Sequence, residues 1–257
     1  MNTGTLEELR RRADPFLYVA FIGHGVQSEY RHLIQDWKRL NIFNVCWVCL
    51  DYRTYQWLNE HAPQFIKLLY PYTVDPSSLK GLWSWKTALI VDLMQANIPT
   101  VIVDLDTQWV QNPTLMLAEW MQQCDVLVSL GHDYPTAVYR RHGFTLCGGI
   151  VALSATPAAT QFAQEWDSAT RKAEDDDVAL NALLLTSGQT AFQFPTLLRG
   201  AALKSATGLV QGRYKGTVQV GILPWVHFPR SSVLSSSTFV AHFHQLKWRA
   251  VPALPIE

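Results

Sequence analysis

Val101-Ile102-Val103-Asp104-Leu105-Asp106 is the stretch on which the reading of this chain turns. With Thr100 it begins as an unbroken run of β-branched residues, the pattern of a strand buried on both faces. Two carboxylates then follow at i and i+2. Strand periodicity would place both on one face, at the carboxyl edge of a sheet. Open α/β sheets bind their ligands at that edge. Two neighbouring carboxylates repel each other unless a cation joins them, and oxygen donors suit hard ions such as Mg²⁺ or Mn²⁺.

Outward from this stretch, apolar runs alternate with helical patterns. Strands are expected at Phe16–Ile22, Val45–Leu50, Phe65–Tyr70 and Thr100–Val103, and helices at Gln27–Leu40, Tyr52–Glu60 and Trp83–Gln95. Such alternation predicts an α/β fold with a mostly parallel central sheet flanked by helices. Beyond residue 110 the pattern loosens. Helices are expected at Pro113–Gln123, Thr156–Lys172 and Val178–Leu185, and strands at Val126–Ser129, Gly149–Leu153, Val218–Ile222 and Thr238–His242. The last seventy or so residues are rich in Gly, Pro, Ser and aromatics, so the C-terminal half is expected to be irregular. With no repeat and no break in composition, residues 1–257 read as one domain, with halves of about 1–112 and 113–257.

The 257 residues are 48% hydrophobic, enough for a sizeable core. Lys plus Arg and Asp plus Glu each total 21, and a net charge of zero disfavours nucleic acid as the main partner. No apolar run reaches the roughly 18–20 residues of a membrane span. The polar start, with Arg10-Arg11-Arg12, does not resemble a signal peptide, so the expectation is a soluble, cytoplasmic chain. Cys46 and Cys49 form a C-x-x-C inside an expected strand. Residues three apart in a strand face opposite sides, which predicts two buried thiols rather than a metal clamp.

The acidic stretch has two relatives. V-I-V-D-L-D resembles the first motif of haloacid-dehalogenase-type phosphohydrolases, whose first Asp is a nucleophile. That motif usually opens its fold and continues differently from Thr107-Gln108-Trp109. The longer run Asp104-Leu105-Asp106-Thr107-Gln108-Trp109-Val110-Gln111-Asn112-Pro113 resembles the D-x-D-x-x-W-x-x-x-P segment of the nucleotide-diphospho-sugar transferase family, which includes plant cell-wall xylosyl-, arabinosyl- and galactosyltransferases. The resemblance extends over residues 16 to 248. Arg31–Asp51 is similar to that family's N-terminal helix and strand ending in Asp. Cys147-Gly148-Gly149 stands at its Asn-x-Gly position, with Cys in place of Asn. Asp176-Asp177-Val178-Ala179-Leu180-Asn181 resembles its D-Q-x-x-L-N segment, and Val240-Ala241-His242-Phe243-His244-Gln245-Leu246-Lys247 its C-terminal strand with His and Lys.

The resemblance implies a GT-A fold, with a Rossmann-like nucleotide-binding half and an acceptor half. It implies a glycosyltransferase that moves a sugar from a nucleotide-diphosphate donor, UDP-linked, with retention of configuration. Asp104, Asp106 and His242 would hold Mn²⁺ or Mg²⁺, with His244 the rival of His242. Asp104, Lys86, Lys247 and Gly149 would meet the donor, Asp176 the sugar hydroxyls, and Asp177 the reacting carbon. The acceptor is open among a glycan, a protein, a small metabolite and a modified nucleobase. A catalytically silent nucleotide-sugar-binding module is the other alternative, given Cys147. From the residues themselves, Trp109 and Trp225 could stack on a sugar or fill the core, and Ser205–Tyr214 could be a basic loop closing over the donor.

Overall fold

The computed structural model describes residues 1, 3–23, 31–69, 79–188, 190–192, 201–231 and 234–242. After helix α1 (Thr3–Arg12) the chain alternates: β1 (Leu17–Ile22), α2 (Arg31–Arg39), β2 (Val45–Cys49), α3 (Tyr52–His61), β3 (Ile66–Leu69), α4 (Leu79–Gln95) and β4 (Thr100–Val103). The second half comprises β5 (Thr107–Trp109), α5 (Thr114–Met121), β6 (Val126–Leu130), α6 (Thr136–His142), β7 (Leu146–Leu153), α7 (Pro157–Ala173) and α8 (Asp176–Asn181). It continues with a π-helical turn (Ala182–Thr186), β8 (Thr190–Phe192), α9 (Ala201–Ser205), β9 (Val210–Tyr214), β10 (Val218–Ile222) and β11 (Val240–His242).

One nine-stranded sheet has the order β3-β2-β1-β4-β7-β6-β10-β9-β8, and β11 pairs with β5 in a separate two-stranded ribbon. From β3 to β4 every pairing is parallel, as the alternating pattern predicts. Beyond β4 the sheet is mixed. β7 enters antiparallel to both β4 and β6, β10 runs parallel to β6, and β9 and β8 complete an antiparallel edge.

Alternate residues of each strand feed two cores. Val19, Cys46, Val48, Ile102 and Val151 face a layer formed by α1, α4 and α7, with Leu9, Leu93 and Trp166 buried there. Tyr18, Val45, Trp47, Cys49, Val101 and Ile150 face α2, α3 and α5, with Trp37, Leu58 and Leu117. Cys46 and Cys49 are therefore buried free thiols on opposite faces, as their spacing predicts. Trp109 also lies in the second core, 1% exposed, with its ring edge-on to Tyr18 and Trp37. It fills the core and is not available to a sugar. Trp225 packs against the first core, under the Lys204 ammonium.

Three local departures matter. The turn after β4, rather than strand alternation, carries Asp104-Leu105-Asp106, and β5 begins only at Thr107. Ser205–Tyr214 is not a closing loop. Its second half is β9, hydrogen-bonded along β10, with Tyr214 buried and its hydroxyl donating to Glu165. The helix expected over Val178–Leu185 starts two residues earlier and passes into the π-helical turn.

Candidate functional site

At the carboxyl end of β4 the chain turns, and Thr107 Oγ1 donates to the Asp104 carbonyl at 2.9 Å to close the turn. Both carboxylates thus project beyond the sheet edge. Antiparallel β7 starts its course at the same edge, where Asp104 N–H donates to the Gly149 carbonyl at 2.8 Å. The register of β7 against β6 slips here. Val128 faces Val151, but the next residue, Ser129, faces Cys147, so Gly148-Gly149-Ile150 forms a bulge. A bulge re-aims the chain at a strand end and often borders a site.

Two further elements reach the bulge. The chain before α8 is acidic, and the run divides its work. Asp175 caps the helix by accepting from Val178 N–H at 2.8 Å, which leaves Asp176 and Asp177 to turn inward. Asn181, one turn on, holds the helix to β7 through both the N–H and the carbonyl of Leu146. From the other side, the 2.9 Å hydrogen bond from His242 N–H to the Pro229 carbonyl sets β11 beside the segment carrying Arg230.

The three expected metal ligands do meet. One ligand atom each of Asp104, Asp106 and His242 lies within 4.8 Å of the other two. His242 Nε2 is 2.9 Å from Asp106 Oδ1 and 3.8 Å from Asp104 Oδ2. Two carboxylate oxygens and one imidazole nitrogen, converging from positions 136 residues apart, form a donor set suited to Mn²⁺ or Mg²⁺. Beside it opens a pocket of about 210 Å³, lined by Phe21, Leu82, Trp83, Lys86, Val103 and the acidic turn.

Lys86 is no surface lysine. It is 5% exposed, and its ammonium meets Asp104 Oδ1 at 3.1 Å, Asp176 Oδ2 at 2.8 Å and the Gly148 carbonyl at 2.8 Å. With two hydrogen bonds and one ion pair, Lys86 ties the two acidic segments to the bulge. Asp176, 4% exposed, turns an oxygen to Lys86, while Asp177 Oδ1 accepts from Gly148 N–H at 2.6 Å. A Cβ at Gly149 would lie 2.6 Å from His242 Nδ1 and 2.8 Å from Asp104 Oδ2. The missing side chain makes room for the ligand set itself. His244 and Lys247 lie outside the described residues.

Charge follows from this packing. Burial works against ionisation of Asp104, but Lys86, then His242 and Arg230, outweigh it and hold its carboxyl below the usual range. Burial raises Asp176 despite Lys86. Asp177 is pushed up to about 7 by burial and then by the charge of Asp176. Burial disfavours the imidazolium of His242, yet Cys147 and Asp106 raise it to about 10. The fold thus favours positive charge on the ring beside the carboxylate pair.

Sequence reading missed Arg230, whose guanidinium touches Cys147 Sγ and whose field reaches Asp177, Asp104 and Asp106. A lone Arg after Pro229 in a Ser-rich segment offers no signal of its own.

With this geometry in view, the sequence profile described as nucleotide-diphospho-sugar transferase matches residues 41–254. No curated protein matches the chain. Among solved structures, the galactosyltransferase LgtC bound to donor and acceptor sugar analogues is 9% identical, with 89% of this chain and 87% of that one covered and a TM-score of 0.49. Mouse xyloside xylosyltransferase 1 is also 9% identical, over 65% and 81% of the two chains, with a TM-score of 0.43. The glycosyltransferase GlyE of Streptococcus pneumoniae TIGR4 is 11% identical over 65% and 43%, with a TM-score of 0.44.

Proposed function

Because the chain belongs to the nucleotide-diphospho-sugar transferase family and is thus a glycosyltransferase, we propose that Asp104, Asp106 and His242 hold a divalent metal, Mn²⁺ or Mg²⁺, against the diphosphate of a UDP-linked sugar. The observation that carries this reading is the convergence of the three ligand atoms within 4.8 Å at the carboxyl edge of β4. When bound, the metal supplies Lewis-acid stabilisation of charge on the departing nucleoside diphosphate.

The chain's own residues do the rest. Lys86 has its donors engaged by Asp104, Asp176 and Gly148, so it fixes where the carboxylates stand and offsets their mutual repulsion. Lys247, in the family's Lys position, is assigned the leaving diphosphate. Asp176 and Asp177 are assigned to the sugar. An ionised carboxylate at Asp177 would stabilise an oxocarbenium-like centre during transfer. In a transferase of this family the Asp pair acts as ligands, and the phosphohydrolase role of Asp104 as nucleophile falls away. Asp104 is also committed on both oxygens, one to Lys86 and the other facing His242.

Nucleotide-binding and acceptor-binding roles are assigned to residues 1–112 and 113–257 respectively. On this reading the diphosphate lies on the first half and the sugar at the seam between β4 and β7. A panel of UDP-, GDP- and dTDP-sugars, with and without Mn²⁺, tests the reading through thermal shift and nucleotide release. Stabilisation and release of UDP that both require Mn²⁺ are expected. Stabilisation without any release, even with glycan, protein and metabolite acceptors present, would contradict turnover at this site.

A further inference from the structure

Cys147 occupies the position where the family's pattern has Asn, and its side chain is buried among His242, Gly149 and Arg230. It is 1% exposed, and its sulfur lies 3.6 Å from His242 Nδ1. The same sulfur accepts from Gly149 N–H at 3.3 Å and contacts Arg230 Nη1. On the far side of the ring, Nε2 faces Asp106 and Asp104. The imidazole is therefore gripped at both nitrogens, by carboxylates on one side and by a sulfur on the other.

We propose that Cys147 is a positioning residue of the metal centre, its sulfur locked by Arg230 and the Gly149 N–H so that it holds the Nδ1 side of His242 and aims Nε2 at the Asp104–Asp106 pair. The inference rests on the reading of those three residues as metal ligands. A ligating imidazole needs an outer partner on its second nitrogen to fix ring rotation and tautomer, and loss of that partner typically weakens metal binding about 10–100-fold. Among the described residues, Cys147 is the group recorded at Nδ1.

Sequence geometry explains how it gets there. Cys147 and Gly149 both border His242, the sulfur at 3.6 Å from Nδ1 and a Cβ at 149 only 2.6 Å from the same atom, so a side chain at the first and none at the second leave a slot for the ring. Arg230 and the backbone N–H can only donate, so the sulfur is their acceptor and stays oriented toward the ring. Cys147 and Arg230 thus act as a unit. The position that offers an amide to the donor in the family pattern is here given over to the metal ligand.

The test is the affinity for Mn²⁺, without donor, of the wild type, Cys147→Ala, Cys147→Val and Cys147→Ser, each also in a His242→Ala background, with thermal melts alongside. Cys147→Val conserves volume, so a lost contact can be separated from a cavity. The expected result is a Kd for Mn²⁺ raised about tenfold or more by Ala and Val and largely restored by Ser, which keeps a donor and an acceptor. Once His242 is gone, the same substitutions should cost nothing further. Unchanged affinity in Cys147→Val, or an equal loss with and without His242, overturns the role. A sulfur-to-metal charge-transfer band in the Co²⁺-loaded protein would make Cys147 a ligand and overturn it too. A wild type that takes up no Mn²⁺ overturns the metal reading beneath it.

Discussion

From β3 to β4 the sheet is parallel, and β1, β2 and β3 are each followed in the chain by a helix, whereas from β7 to β8 every neighbouring pair but β6 and β10 is antiparallel. The first half needs only local alternation and continuous apolar strands. The second is fixed by particular contacts, such as Asn181 on Leu146 and β11 beside Pro229. The two meet at β4 and β7, and the acidic turn of the first half faces the Gly148–Gly149 bulge of the second. A site built on such a seam draws charge from both sides, Asp104, Asp106 and Lys86 from the first half and His242, Asp176, Asp177 and Arg230 from the second. Its ligands can be precise in position although the second half looks irregular in sequence.

The largest effect should come from removing ligands that bridge the seam. Asp104→Ala, Asp106→Ala and His242→Ala are each expected to lower metal-stimulated sugar transfer or donor hydrolysis on the order of 10³-fold, equivalent to several kcal/mol of transition-state stabilisation. Circular dichroism should show the fold retained.

Next is Lys86→Met, which removes the ammonium while leaving the buried carboxylate of Asp176 behind. Breaking a buried ion pair from one side costs about 3–5 kcal/mol, read by urea denaturation. A loss well under 1 kcal/mol would mean that Lys86 does not join the halves.

Glycines on the two sides of the comparison should respond in opposite directions. Gly149→Ala drives a methyl group into His242 and Asp104, costing about 1–3 kcal/mol together with Mn²⁺ affinity. Gly81→Ala, in α4 with nothing within 4 Å of the new Cβ, should stabilise by about 0.5–1 kcal/mol.

The smallest effect is a slope. The carboxyl of Asp177 is raised to about 7 in the fold, so the native metal-free protein holds a proton there that the unfolded chain releases at the ordinary carboxylate value of about 3.9. Stability from this group is fully present below about pH 4 and is lost as pH rises through 7. Asp177→Asn should flatten that part of the stability curve in equilibrium unfolding, and an unchanged slope would count against the burial assigned to Asp177.

How much of this was legible follows the same division. Thr100–Val103 and Val218–Ile222 are strands over the limits their sequences suggest, because continuous apolar runs leave little choice. The short elements β5, α6, β8, α9 and β9 carry no periodicity strong enough to announce them. Strand spacing alone predicts Asp104 and Asp106 as neighbours on one strand face. They are neighbours because a turn brings them together, a distinction invisible at a spacing of two residues. The acidic run before α8 served two readings at once, since Asp175 is the helix cap and Asp176 and Asp177 enter the site. Lys86 could not be told from an exposed helix lysine until both acidic partners were placed, and Arg230 became visible only through its contact with Cys147.

Whether the seam holds a metal on Asp104, Asp106 and His242 is decided by anomalous scattering from crystals grown with Mn²⁺ and UDP. A single strong peak between these three side chains is expected, lost in Asp106→Ala. A map with no peak there, from protein that still transfers sugar in excess chelator, would contradict it.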